Sequence, residues 1–405
     1  MKFGVTRGAA LYVGALMGPG VLLVPALATQ AAGPAVIVAW GVLLLLSIPL
    51  AITFAALGTR YPEAGGTAAY ARAAFGAPLS RATGWLFLGG VVIGAPVVAY
   101  AGGRYVGDVT GLGTLGITVI SIALVAIVLA INARGLGATA RMQLGLTSLL
   151  AVLIAVAVVV ALPDAEAANW TPFAPHGWLA VGTAGSVLMF SFIGWEAVSH
   201  LAGELRDPKR QLPRAIAAAF AVIALLYAGL AFATIGVLGP DPSAVPLADL
   251  MGAGLGETGR RATVVIAIAL TVGTMTTYVA GALKLSGTLV RRLRPAAALA
   301  ILGGVSALAL GALAVGAVGA DGLTRASAAC FVGVYVLATA AGVRLLRGPA
   351  RLASTLSFLV TLALLGFNGA FAAVPVALAA VAGLGPVVAR ITRRRRPCPE
   401  ASAIS

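Results

Sequence analysis

Gly14-Ala15-Leu16-Met17-Gly18-Pro19-Gly20-Val21 and Phe190-Ser191-Phe192-Ile193-Gly194-Trp195-Glu196 decide how this chain is read. Each interrupts an apolar stretch long enough to cross a bilayer. In the first, Pro19 has no backbone N–H and collides with the preceding turn, while each flanking glycine costs a helix about 1 kcal/mol. The helix is therefore expected to unwind near mid-bilayer and to restart at Pro19 or Gly20, because proline suits the first helical position. Unwound backbone at that depth is tolerated only where it lines a cavity or binds something. The restarted helix offers free N–H groups and a positive dipole end to an anion such as a carboxylate. The bland alternative is a kinked span whose glycines serve close helix packing.

The composition around these stretches places them in a membrane. Of 405 residues, 60% are hydrophobic and only 10% are charged, with a mean hydropathy of +1.04. A soluble chain carries about 25% charged residues, so a water-facing surface is excluded. Apolar runs between charges and Pro/Gly breaks predict spans at 8–30, 35–57, 82–103, 115–132, 142–163 and 178–203. A second set follows at 215–238, 261–283, 296–318, 324–344, 352–368 and 371–389. Twelve spans put both termini and every even-numbered connection on one side. Only Arg104, Arg260, Arg261 and Arg325 of the 27 basic residues then fall on the other side, leaving 23 on the first. That split marks the basic side as cytoplasmic and makes the localisation a cytoplasmic (inner) membrane with both termini inside. The net charge of +15 is thus a topology signal, and no nucleic-acid partner is expected. Lys2, Arg7 and Ala26-Leu27-Ala28 imitate a signal peptide, but the Gly18-Pro19-Gly20 break is a poor signal core.

Glu196 is the one acid that these spans hold at membrane depth; seven of the 12 acidic residues fall outside and four inside. A carboxyl group there is costly unless partnered or protonated, so it usually serves function. Burial favours its neutral form, which lets it exchange a proton near neutral pH; a permanently protonated carboxyl bonded to a carbonyl is the structural alternative. The two breaks lie five spans apart. Paired interruptions in two halves point to an inverted-repeat transporter, all-α, with a 5+5 inverted repeat built on broken helices 1 and 6 and two extra C-terminal helices. One transmembrane domain, 1–390, then holds repeat one at 8–163, repeat two at 178–344 and extra helices at 352–389, followed by a basic tail at 391–405. Cys330 and Cys398 give no disulfide framework, His176 and His200 no metal spacing, and no cofactor-binding or nucleophile–base motif is present. An enzyme is not expected.

Four stretches carry a family resemblance: Gly14 to Val21; Arg60-Tyr61-Pro62-Glu63-Ala64-Gly65-Gly66 with Tyr70 and Phe75-Gly76; Ser191 to Glu196; and Gly203 to Ile216. With them the chain resembles the amino acid-polyamine-organocation (APC) transporters, and in length and Val24-Pro25-Ala26 it leans towards the exporters of methionine and branched-chain amino acids. The resemblance implies a LeuT-like fold and secondary transport of neutral amino acids by alternating access. It puts the substrate carboxylate on the backbone of Met17, Gly18, Gly20 and Val21. The ammonium falls on carbonyls around Ala15 and Leu16 and around Phe190, Ser191, Phe192, Ile193 and Gly194. Phe190 becomes an aromatic gate, Glu196 a proton-sensitive acid, and Thr276 and Tyr278 face the pocket. Three departures stand out: Pro19 removes one hydroxyl and one N–H from the carboxylate site, span 5 has no Lys or Arg, and span 8 ends in Arg291-Arg292-Leu293-Arg294. The coupling ion, proton or sodium, stays open. A cationic amino-acid or polyamine permease is the second reading, since Glu196 can face a cation, and a channel or receptor on the same fold is a remote third.

Overall fold

A computed structural model describes residues 4–61, 66–135, 140–195, 208–290 and 293–382. Expectations for Glu196, for Pro62 to Gly65, for Gly203 to Asp207 and for the basic tail fall outside these residues. The described residues contain helices and no strand. In chain order the helices are α1 (Val5–Leu16), α2 (Val24–Ala32), α3 (Val36–Arg60), α4 (Gly66–Phe75), α5 (Ala77–Thr110), α6 (Thr114–Ala133) and α7 (Ala140–Ala161). The second half continues with α8 (Leu179–Leu188), α9 (Pro208–Leu238), α10 (Pro246–Leu289), α11 (Pro295–Ala314), α12 (Ala320–Leu345) and α13 (Gly348–Phe367). Proline opens α9, α10 and α11 at the position where its missing N–H has no partner to lose.

Among the described residues, nine helices are long and apolar enough to cross a membrane. They correspond to the expected spans 2 to 5 and 7 to 11. Where spans 1, 6 and 12 are expected, the described helices are shorter: α1 (Val5–Leu16), Leu179–Phe192 and Gly369–Ala382. Leu45, Leu115, Val159, Leu225, Leu308 and Leu352 are each at least 67% exposed, so the outer surface of the bundle is as apolar as its core. Such a surface is stable only in lipid.

At 44 residues, α10 would measure about 66 Å at 1.5 Å per residue, twice the hydrocarbon thickness of about 30 Å. Gly256, with φ 63° and ψ −158°, breaks it into a segment up to Leu255 and the span that follows. Only glycine adopts that geometry without strain. The first segment, termed the lid for short, is turned inward: Leu247, Ala248 and Leu250 are fully buried, and a Cβ on Gly254 would meet Val160 of α7 at 2.5 Å.

The centre of the bundle is α5, which packs on α6, α10 and α12. Its glycines make that possible. A Cβ on Gly102 would meet Thr271 Oγ1 of α10 at 2.8 Å, and one on Gly103 would meet the Ile117 carbonyl of α6 at 2.8 Å. At the basic end, the Arg60 guanidinium donates to the Leu345 carbonyl at 2.8 Å, joining α3 to α12. Because Ile117 O belongs to a helix backbone, Gly103→Val should force α5 and α6 apart and cost roughly 1–3 kcal/mol of stability. A thermal melt of the purified protein with an unchanged midpoint would contradict this packing.

Candidate functional site

The first break follows from local chemistry. Met17 leaves the helical region (φ −84°, ψ 81°) and Gly18 is extended (φ −86°, ψ 172°). Pro19 then opens a 3₁₀ turn, Pro19–Leu22, and regular helix resumes only at Val24. The restart at Pro19 matches the expectation, although as a tighter turn. Of the four residues expected to face the carboxylate, Met17 gives its N–H to the Val13 carbonyl at 2.9 Å and Gly18 to the Leu16 carbonyl at 3.1 Å, while Val21 N–H makes a long 3.4 Å bond to the Gly18 carbonyl. Gly20, second in the turn, has no acceptor within it. Gly20 and the weakly held Val21 are thus the amides of this break least committed to the backbone.

The second break has the same construction. Helix α8 tightens into a 3₁₀ turn, Met189–Phe192; Ile193 is extended (φ −72°, ψ 137°) and Gly194 takes φ 130°. The two breaks touch: a Cβ on Gly20 would lie 2.9 Å from Phe190 Cδ1, 3.2 Å from Ser191 Oγ and 3.3 Å from the Phe190 carbonyl.

Three tyrosines, each fully buried, hold this irregular backbone. Tyr335 of α12 accepts the Gly194 and Trp195 amides at 2.9 and 3.2 Å. The Tyr105 hydroxyl of α5 donates to the Leu22 carbonyl at 2.9 Å. The Tyr227 hydroxyl of α9 lies 3.0 Å from the Ser191 carbonyl and 3.3 Å from the Leu16 carbonyl, bridging the two breaks. One hydroxyl carries one proton, so it satisfies one of these carbonyls at a time. The other keeps acceptor capacity for a donor such as a substrate ammonium. Ser191 Oγ is likewise buried with no hydrogen-bond partner among the described residues.

Between the breaks lies a cavity of about 40 Å³. Gly18, Gly20, Phe190 and Ile193 line it from the breaks, Gly90 to Val98 from α5, Met275, Tyr278 and Val279 from α10, and Phe331 from α12. No charged side chain is among its described lining residues, and Tyr278 supplies the one polar side-chain group. Phe331 rests on α5 where a Cβ at Gly90 would meet its ring at 2.7 Å, and it stacks edge-on with Phe87 at 5.6 Å. Phe190 lies against Gly94, whose Cβ would be 3.4 Å from its ring.

The structure brings Gly18, Gly20, Phe190, Ile193 and Tyr278 to the cavity wall, and Leu16 and Ser191 contribute carbonyls beside it. Thr276 is absent from that wall; its hydroxyl turns back to the Val272 carbonyl at 2.7 Å. Phe192 points away too, into an aromatic cluster with Trp40 at 5.7 Å and Tyr227 at 5.3 Å. Met17 and Val21 are buried, Ala15 lies in the last turn of α1, and Gly194 spends its amide on Tyr335. Sequence reasoning missed Gly90, Gly94, Met275, Val279 and Phe331. The Gly90-xxx-Gly94 spacing was the available signal, since small residues four apart let helices approach in membranes.

Comparison with known proteins agrees with this architecture. The family model described as amino acid permease matches residues 3–388. An uncharacterized amino acid permease, YecA of Bacillus subtilis, is 32% identical over 356 residues, covering 84% of each chain. The L-methionine/branched-chain amino acid exporter YjeH of Escherichia coli is 36% identical over 237 residues, which are 57% of this chain and 54% of that protein. Cationic amino acid transporter 9 of Arabidopsis thaliana is 26% identical over 253 residues, 56% of this chain and 44% of that one. With apolar helices long enough to cross a membrane and a family match over almost its whole length, this chain belongs to the amino acid permease family of multi-pass membrane transporters, within the APC superfamily.

Proposed function

We propose that this permease carries neutral amino acids with apolar side chains, as a secondary transporter of the cytoplasmic membrane working by alternating access. The observation that carries this reading is the cavity between the breaks, which offers backbone amides and carbonyls at one edge and apolar side chains elsewhere, with no fixed charge among its described lining residues. An amino acid's carboxylate and ammonium suit the backbone groups, and an aliphatic side chain suits Val91, Ile193, Met275, Val279 and Phe331. The YjeH relative, a methionine and branched-chain amino acid exporter, supports the same class. A cationic substrate is the second reading, supported by the name of the Arabidopsis relative and by Glu196 beside the second break. The apolar wall argues for the first.

The same proposal takes the chain as twelve spans in a five-plus-five inverted repeat with two C-terminal helices. Support comes from two breaks, five spans apart, packed against one another, and from the 23 basic residues assigned to one side. That side is the cytoplasmic one. The cavity is far smaller than the roughly 300–1,000 Å³ of an occupied small-molecule site. Substrate entry therefore requires the helices to move, as a rocking bundle provides.

Replacing Gly20 by Ala should cut counterflow of labelled leucine or methionine in proteoliposomes at least tenfold at normal protein levels, because the new Cβ meets Phe190 and its carbonyl. Normal counterflow would remove the break from the substrate path. Phe331→Ala is expected to raise the ratio of phenylalanine to valine transport by opening the far wall; an unchanged ratio places the substrate side chain elsewhere. If Glu196 exchanges the coupling proton, Glu196→Gln should flatten the pH profile of transport, while an unaltered profile assigns it a structural role.

A further inference from the structure

At the charge-poor end of the bundle, charges from α5 and from both parts of α10 converge. Arg260, just beyond the Gly256 kink, holds Asp108 of α5 in a fork, Nε to Oδ2 at 2.7 Å and an Nη to Oδ1 at 2.8 Å. The same guanidinium reaches Asp249 of the lid segment at 3.0 Å. The other Asp249 oxygen accepts the Ser243 hydroxyl, which itself accepts the Val245 amide at 3.1 Å. All three charged side chains are partly shielded, at 31% exposure for Arg260, 22% for Asp108 and 16% for Asp249. Two neighbouring charges, Glu257 and Arg261, pair with each other at 2.9 Å as an exposed i, i+4 pair, and the Glu257 charge also acts on Arg260.

Asp108 sits in the last turn of α5, where the helix dipole disfavours a carboxylate. It is held there by its partner rather than by its helix. Tyr105 lies three residues earlier on the same face, and its hydroxyl holds the Leu22 carbonyl at the exit of the first break. Gln30, at the far end of α2, donates to the Pro242 carbonyl in the connection leading to the lid at 2.8 Å. One face of α5 thus links the ion cluster, the lid and the broken span.

We propose that Asp108, Arg260 and Asp249 form a latch that holds the segment Pro246–Leu255 closed over the charge-poor end of the substrate path. Opening to that side swings the segment about Gly256 and breaks the Arg260–Asp249 pair, while the Asp108 fork holds the guanidinium in place on the span. On the orientation proposed above this is the external side, but the latch itself depends on neither the orientation nor the substrate. A bidentate guanidinium bridging two carboxylates is directional, so the closed arrangement has one geometry, and Gly256 supplies the joint.

The latch can be tested without a transport assay. Ala248, fully buried on the underside of the lid, is changed to Cys in a Cys330→Ser, Cys398→Ser background, and a bulky maleimide is added to the purified full-length protein in detergent, where both ends are accessible. With the latch intact, labelling should be slow. Arg260→Gln and Asp249→Asn should each speed it at least fivefold, and Arg260→Lys, which keeps the charge, should stay nearer the slow rate. Equal labelling with and without Arg260→Gln would overturn the proposal. So would labelling of Arg260→Lys as fast as that of Arg260→Gln, because that result assigns Arg260 a packing role. A Cys at the buried Ala338 of α12 reports general loosening; if it accelerates equally, the latch is again rejected.

Discussion

Backbone that leaves a helix inside hydrocarbon must find a hydrogen-bond partner, and the centre of this protein is organised around that requirement. The two breaks free amides and carbonyls where water cannot compensate them, and each unpaired group costs several kcal/mol. Tyr105, Tyr227 and Tyr335 meet part of that need from three regular helices. A phenol suits the task because its ring packs as an apolar residue while its hydroxyl both donates and accepts. Tyr335 accepts two amides, whereas Tyr105 and Tyr227 donate to carbonyls. Tyr227 has one proton for two carbonyls, of which that of Leu16 also accepts the Gly18 amide.

Glycine supplies the complementary half. Along α5, absent side chains bring α6, α10 and α12 against helix backbone, and they leave parts of the cavity wall as bare backbone. Gly90 and Gly94 both tighten the scaffold and shape the pocket, whereas Gly102 and Gly103 serve the packing alone. At Gly90 the ring of Phe331 occupies the space a side chain would take, so helix packing and pocket length are set by one contact.

Scarcity of charge gives each charged group on the exposed ends a legible role. Arg60 ties α3 to α12 at the basic end. At the opposite end Arg325 caps the end of α13 through the Phe367 and Asn368 carbonyls, 3.1 Å each, and lies 5.0 Å from the Phe371 ring. Arg260 joins α5 to the lid. Arg325 and Arg260 thus each tie a helix end to a neighbouring segment.

What the sequence determined by itself was what local chemistry dictates: membrane residence from charge content, span positions from apolar runs, and the two breaks from proline and glycine at fixed places. Those constraints act within one turn of helix, and so Gly18, Gly20, Phe190 and Ile193 were found at the cavity. Tertiary structure decided the partners. Tyr227 lies 211 residues from Leu16 and 36 from Ser191, and nothing local in either segment names it. Helix rotation was equally hidden: Met275, Tyr278 and Val279 share one face of α10, while Thr276, about 100° away from Met275, turns from the cavity. Thr271, Thr274, Thr276 and Thr277 spread around this span rather than along one stripe, so only the packing of α5, α10 and α12 against one another could select the inward face.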